Sequence, residues 1–303
     1  MAYLHENKEE FITAINLSSE KFGILPSVAE KDYYVTLILR KLSEKTDYIV
    51  FKGGTSLSKC YKVIKRFSED IDITIDTKLS QGQMKKIKSA IKEIADELRL
   101  SIPNIDDTRS RRSYNRYILE YQSVVNEPDE AIRTAVLMET SFAEISFPTV
   151  SLHVHSYIGD MMKDEAPEEL INFCLDTFEM KVQGIERTLA DKVFAICDYY
   201  LQDRVKRHSR HIYDIYKLLP LVPQNEEFKA LVKEVRNIRS LTNICPSAQP
   251  NVNIPDILNF IIDNDIYKSD YLNITSRILE EDISYETAIK AVKAIAESDV
   301  FTL

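Results

Sequence analysis

Residues 68–75 read SEDIDITI, and Asp70 with Asp72 are the side chains of this chain whose type and spacing point most directly to chemistry. Ile71, Ile73 and Ile75 alternate with polar residues, a pattern that predicts a strand. On a strand, residues i and i+2 share a face roughly 6 to 7 Å apart along the chain. The two carboxylates then point one way and the isoleucines enter a core. Upstream, Gly53-Gly54-Thr55-Ser56 follows an apolar run at 48–51 and precedes a helix-like stretch. The chain has only 6 Gly in 303 residues, against an ordinary share of ~7%. Two of them side by side indicate a tight turn or a close approach of backbone to a ligand. A turn that opens a helix offers free N–H groups and a partial positive charge to phosphate. Gly53 and Gly54 let the backbone come near, and Thr55 or Ser56 can add a hydroxyl donor. Mg²⁺ takes oxygen ligands, typically a few carboxylates completed by substrate phosphates. Two such ions about 3.5 to 4 Å apart can clamp both the attacking and the leaving oxygen of an in-line displacement. A glycine turn beside paired acids therefore suits Mg²⁺ and a triphosphate.

Either feature alone has a plain reading, a solvated strand face or a simple turn. Their order and the helix-length gap between them favour a site. A calcium loop starting at Asp70 is a poor rival, because its sixth position is Ile75 instead of Gly and its twelfth is Gln81 instead of Glu.

The stretch GGTSLSK…RFSEDIDI resembles the nucleotidyltransferase signature of the DNA polymerase β superfamily, a glycine pair, a short helix and Asp-x-Asp on the next strand. More narrowly it is similar to the AbiEii toxin family, the nucleotidyltransferase partners of abortive-infection toxin–antitoxin systems. AEKDYY at 29–34, ERTLADK at 186–192 and RHIYDIY at 210–216 support the narrower match by order and spacing. The resemblance covers about residues 25 to 220. It implies a Mg²⁺-dependent enzyme that moves a nucleoside monophosphate from an NTP to an acceptor, with tRNA the first choice, blocking translation. A cognate antitoxin protein is the implied partner. It implies that Lys192 contacts the triphosphate, that Asp214 has an active-site role, and that Glu139 occupies the place of a third metal carboxylate. Asp70 and Asp72 would hold the metal. The phosphate-binding hydroxyl stays open between Thr55 and Ser56, because Asp70 follows them at a longer spacing than the family's tightest pattern. The bland readings stand beside these: Glu139 as a surface strand carboxylate, Lys192 as an exposed helix lysine, and Asp214 as a residue paired with Arg210 one turn away. Lys192 and Asp214 are separated by enough chain for two neighbouring antiparallel helices.

Periodicity supplies the frame. Helices are expected at 8–22, 26–44, 55–65 and from the cap Ser80 to about 100. Strands are expected at 48–51, 71–75, 113–124, 134–142, 150–157 and 178–183. From 186 on the pattern is helical, near 186–202, 209–219, 225–240, 255–264 and 284–298. Strands mixed with helices, then helices alone, predict an α+β fold: a polymerase-β-like nucleotidyltransferase lobe over 1–184 and a helical C-terminal lobe over 185–303.

Apolar residues at 44% permit a sizeable core, and no apolar run approaches the ~18 to 20 residues of a membrane span. Neither a signal core nor a C-x-x-C spacing is present, so free thiols at Cys60, Cys174, Cys197 and Cys245 and a cytoplasmic location are expected. The net charge of −9 argues against a protein that coats nucleic acid indiscriminately. It leaves room for local basic patches: Lys85, Lys86, Lys88 and Lys92; Arg109, Arg111, Arg112 and Arg116; and Lys206, Arg207 and Arg210. The arginine cluster, the densest, is the first candidate for an RNA-facing surface. His153 and His155 share a strand face but lack a third ligand in a zinc pattern. Two other readings survive at this level: transfer to a protein hydroxyl or a small molecule, which the acidic chain favours, and nucleotide binding without turnover.

Overall fold

Ile71, Ile73 and Ile75 are each no more than 2% exposed, as the alternation requires. In the computed structural model, which describes residues 3–110, 112–126 and 132–302, they lie on strand β2 (Ile71–Ile75). The chain divides into two units, Met1–Tyr61 with Ser68–Val182, and Lys62–Phe67 with Gln183–Leu303.

The first unit carries the sheet. Its strands are β1 (Ile49–Lys52), β2, β3 (Tyr114–Glu120), β4 (Ala135–Ile145), β5 (Thr149–Val154) and β6 (Phe178–Gln183), in the order β3-β4-β2-β1-β6-β5. β2 runs antiparallel to β1 and parallel to β4, so the sheet is mixed. Register sets Asp72 opposite Lys52 on one side and Glu139 on the other. Helices α1 (Lys8–Phe22), α2 (Pro26–Lys45), α3 (Gly53–Lys59), α4 (Gln81–Glu97), α5 (Tyr157–Glu165) and α6 (Pro167–Asn172) complete the unit. The Asn7 side chain caps α1 and Ser80 caps α4, each accepting from a backbone N–H of the first turn.

α2 is buried almost all round, and three consecutive charged residues are tied down separately. Glu30 accepts from Ser123 Oγ and Val124 N at 2.6 and 2.7 Å. Lys31 pairs with Glu69 and donates to the Arg133 carbonyl. Asp32 accepts from Lys59 Nζ at 2.5 Å and from Tyr157 N at 2.9 Å. Buried charges persist only when paired and hydrogen-bonded, and these pairs fix three different segments against one helix.

The second unit is helical: α7 (Ile185–Leu201), α8 (Arg210–Leu218), α9 (Glu226–Arg239), α10 (Ile254–Asp263) and a last helix, Tyr285–Glu297. Residues 62–67 join it, with Arg66 bridging to Leu279 as in a short antiparallel pair. Phe67 N donates to the Ile278 carbonyl and Glu280 N to the Lys65 carbonyl. The expected helix over 55–65 therefore stops at Lys59, whose side chain turns in to Asp32, Thr36 and the His155 carbonyl, and Lys62 takes a left-handed φ of 54°. α5, α6 and the short helical turns within 268–278 lie where periodicity indicates no element.

Cys174, Cys197 and Cys245 are buried, Cys60 is half-buried, and among the described residues no disulfide joins them. Among the described residues no helix is long and apolar enough to cross a membrane.

Candidate active site

β1 leads directly into α3, and the junction is Gly53 with φ +79°, a conformation in which side chains other than glycine are strained. A Cβ placed there would come within 2.9 Å of Asp72 Cγ and 3.2 Å of its Cβ, so the missing side chain is what lets the turn lie against this carboxylate. Asp70 immediately precedes β2, and Asp72 is its second residue. Both are half-buried, with Ile71 and Ile73 turned to the core between and beyond them. The Oδ1 atom of Asp70 is buried with no hydrogen-bond partner in the protein. Its neighbour Glu69 is held by the buried Lys31; burial pushes the Glu69 carboxyl up, against the pull of that lysine.

The two hydroxyls of the turn are enclosed. Thr55 and Ser56 are at most 1% exposed; Ser56 Oγ donates to the Gly53 carbonyl and Thr55 Oγ1 meets Ser68 Oγ, both at 2.9 Å. They brace the turn, leaving the half-exposed backbone of Gly53 as its accessible part.

Glu139 on β4 stands beside Asp72 in register, with Arg116 of β3 opposite it, Nε to Oε1 3.7 Å. Tyr114, half-exposed, completes this corner. Its phenol is pushed up by partial burial, then by Glu139, to which it donates, and by Asp72 farther off. Sequence reasoning missed Tyr114. The signal lay in the alternation of β3, which sets Tyr114 and Arg116 on one face.

The second unit brings Lys192 of α7 and Asp214 of α8 together, Nζ to Oδ2 2.8 Å. Asp214 is fully buried and its oxygens are also taken by Arg66, Nε to Oδ1 2.7 Å and Nη2 to Oδ2 2.8 Å. Burial alone would raise the Asp214 carboxyl, but Arg66 and Lys192 outweigh it and hold the group well below the usual carboxylate range. Burial draws Lys192 down, aided by Arg66 and Arg210 and opposed by Asp214. His211, kept neutral by burial and by the cations around it, sets Nδ1 3.2 Å from Lys192 Nζ. Two cations thus share one carboxylate, leaving surplus positive charge in a buried place. Asp214 is expected from the resemblance to act at the active site; here its oxygens are given to Arg66 and Lys192, and the pairing with Arg210 is not formed. Arg66 went unremarked as a site residue although it sits inside the RFSEDIDI motif, because the stretch before it reads as continuing helix.

In the arginine cluster, Arg109 and Arg112 donate to the carbonyls of Asp106 and Asp107, and Arg116 faces Glu139. Arg111 lies outside the described residues. His155 falls beyond the end of β5 and meets Asp160 at 3.0 Å. Among the described residues no three His, Cys, Asp or Glu side chains converge as a metal-binding group. The unpartnered Asp70 oxygen, with the Asp72 carboxylate two residues on against the Gly53 turn, nevertheless fits a small cation that draws its remaining oxygens from a nucleotide.

No curated protein matches the chain. Among solved structures it is similar to MenT4, a nucleotidyltransferase toxin from Mycobacterium tuberculosis H37Rv, with a TM-score of 0.51 and 14% identity over 95% of this chain and 89% of that one. That likeness is one of fold. The sequence model of the AbiEii nucleotidyl transferase toxins of type IV toxin–antitoxin systems matches residues 37–297. With Gly53 against Asp72, a carboxylate pair at the start of β2 and the matched region spanning both units, the chain belongs to the AbiEii family of nucleotidyltransferase toxins.

Proposed function

We propose that this toxin transfers a nucleoside monophosphate from an NTP to tRNA in the cytoplasm, blocking translation until its antitoxin counters it. The observation that carries the catalytic half is the buried, unpartnered Asp70 oxygen beside the Gly53–Asp72 contact. A carboxylate oxygen without a donor is costly unless a cation meets it. Mg²⁺ held by Asp70 and Asp72, with Glu139 as the adjoining carboxylate, would neutralise charge on the phosphates as the displacement proceeds. The accessible backbone of Gly53 cradles phosphate, with Gly54 buried behind it and Thr55 and Ser56 bracing the turn. Lys192 supplies a cation to the triphosphate, because it shares Asp214 with Arg66 and retains surplus charge. Asp214 positions Lys192 and Arg66. In the step itself an acceptor hydroxyl oxygen bonds to the α-phosphorus, the bond to the β-phosphate breaks, pyrophosphate leaves and the hydroxyl proton passes to solvent. The protein's task is alignment and charge stabilisation, with no covalent nucleophile.

The test is to incubate the protein with each labelled NTP, total RNA and total protein. Label is expected in the tRNA fraction, and Asp72→Asn is expected to lower transfer by orders of magnitude with an unchanged melting curve. Label in protein or small molecules alone would move the acceptor, and wild-type transfer by Asp72→Asn would remove the metal assignment.

A further inference from the structure

From the loop after α7 to the first residue of α8 the chain reads Asp203-Arg204-Val205-Lys206-Arg207-His208-Ser209-Arg210, four cations and one acid in a protein of net charge −9. Charge of this density is ordinarily dispersed by acid partners. Here none of the four cationic side chains forms an ion pair among the described residues; Arg204 donates to the Gln202 amide oxygen at 3.5 Å. The contrast is with the 109–116 cluster, where Arg109 and Arg112 are engaged by carbonyls of their own loop and Arg116 by Glu139.

The loop is not a loose tether. Asp270 accepts from Arg207 N at 2.7 Å and from Ser209 N at 3.1 Å, and Ser209 Oγ meets Thr275 Oγ1 at 2.7 Å. Asp270 thus grips the loop's backbone. Thr275 ends a π-helical turn, Tyr271–Thr275, a form that recurs at functional sites. Asp203 and Arg207 hold left-handed φ values of 54° and 70°, a conformation uncommon for such residues and kept only where the surroundings enforce it. The backbone is fixed in a strained path that leaves its basic side chains outward.

Aromatic rings lie beside the charge. Tyr199 and His208, both half-buried, stack at 3.5 Å between centroids and 10° between planes, and Arg204 lies over the Tyr199 ring at 5.8 Å. His208 stacks in turn near His211, which touches Lys192. A bound single strand of RNA asks for this combination, cations along its backbone and aromatic faces for its unstacked bases. One triphosphate would not need three cations spread along a whole exposed loop, with Arg210 at the start of α8 beyond them.

We propose that the loop from Asp203 to Arg210 is the surface on which the phosphate backbone of the acceptor RNA rests, with Arg204, Lys206 and Arg207 as its contacts and the Tyr199–His208 stack beside it for an unpaired base. The inference rests on the RNA-acceptor reading above.

The test uses the full chain with Arg204→Gln, Lys206→Gln and Arg207→Gln combined. Binding of a tRNA pool is followed by fluorescence anisotropy at several salt concentrations, alongside NTP affinity by calorimetry and a melting curve. Loss of three phosphate contacts should flatten the log–log salt slope by about 2.1 to 2.7, so the wild type's advantage shrinks about 20- to 40-fold between 50 and 200 mM salt. The Michaelis constant for RNA should rise, while NTP affinity and melting stay with the wild type. Should the wild type label tRNA and the triple variant show the same slope and Michaelis constant, the loop is not the RNA surface, and the acceptor reading stands. Should the wild type neither bind nor label RNA, the acceptor reading and this inference fall together. If the variant melts early, single variants at Lys206 and Arg204 carry the measurement, each expected to remove close to one unit of slope; an unchanged slope in both overturns the proposal.

Discussion

Asp214→Asn separates a carboxylate that acts on reactants from one that holds other residues in place. Asp214 is fully buried and accepts from Arg66 at 2.7 and 2.8 Å and from Lys192 at 2.8 Å. Asparagine keeps the shape but removes the one negative charge between two cations, and its amide hydrogens face donors. Removing one partner of a buried pair costs about 3 to 5 kcal/mol, because the remaining charge is left uncompensated. Two stranded cations argue for the upper part of that range, and proton loss from Lys192, already drawn down by burial, limits it. For a unit of this size such a loss lowers the melting temperature by roughly 10 to 20 °C. Calorimetry gives that number, and hydrogen exchange on α7 and α8 locates it. Arg66→Met combined with Asp214→Leu should recover part of the loss, since replacing both members of a buried pair with apolar groups is far milder than removing one. If Asp214→Asn abolishes transfer yet melts within 2 °C or so of the wild type, against the 3 to 5 kcal/mol expected, the positioning role assigned to Asp214 is wrong.

Gly53→Ala should cut transfer sharply while the chain still folds, because the new Cβ would displace the Asp72 carboxylate from a turn already at φ +79°; wild-type turnover in this variant would mean that the contact is irrelevant to catalysis. Lys192→Ala should weaken NTP binding by about 1.5 to 3 kcal/mol, the value of a hydrogen bond to a charged group, as read by calorimetry. Acid should destabilise the fold well before its carboxylates are protonated. Burial lowers His5 and His208 from 6.5 to about 4 and His211 further still. The unfolded imidazoles therefore take up protons first, and the stability present above pH 6.5 is lost progressively as pH falls towards 4. A urea midpoint that stays constant from neutral pH down to pH 5 or so would contradict this, since unfolded histidine titrates near 6.5.

The parts of the site that could be read from sequence are those with a short-range signature. Asp70 and Asp72 follow from strand alternation, the turn from an adjacent glycine pair in a glycine-poor chain, and the meeting of Lys192 with Asp214 from two helices joined by a modest connection. What escaped are pairings between charges far apart in the chain. Arg66 reaches Asp214, Lys31 reaches Glu69, and Asp32 reaches Lys59 without leaving any period in the sequence. α3 ends early for the same reason: Lys59 turns inward to a partner on α2, while the apolar residues after it keep a helix-like spacing. The arginine cluster at 109–116 stood out by density alone. Density does not distinguish a guanidinium bound to its own loop's carbonyls from one left outward, and the structure shifts attention to the loop before α8.

Residues 62–67 are made early and used late. A ribosome delivers Arg66 well before Asp214 and Ile278, so this short piece must wait for partners that do not yet exist. Contacts of such sequence separation slow folding, because the intervening chain must be closed into a loop before they form. The second unit consequently cannot assemble as an independent afterthought to the first. A C-terminal fragment begun at Gln183 would lack Arg66 and leave Asp214 with Lys192 alone, short of a cation it is built around. Splitting the chain at Val182 would give two pieces of which the second depends on a peptide carried by the first, and only their mixture would contain a complete second unit.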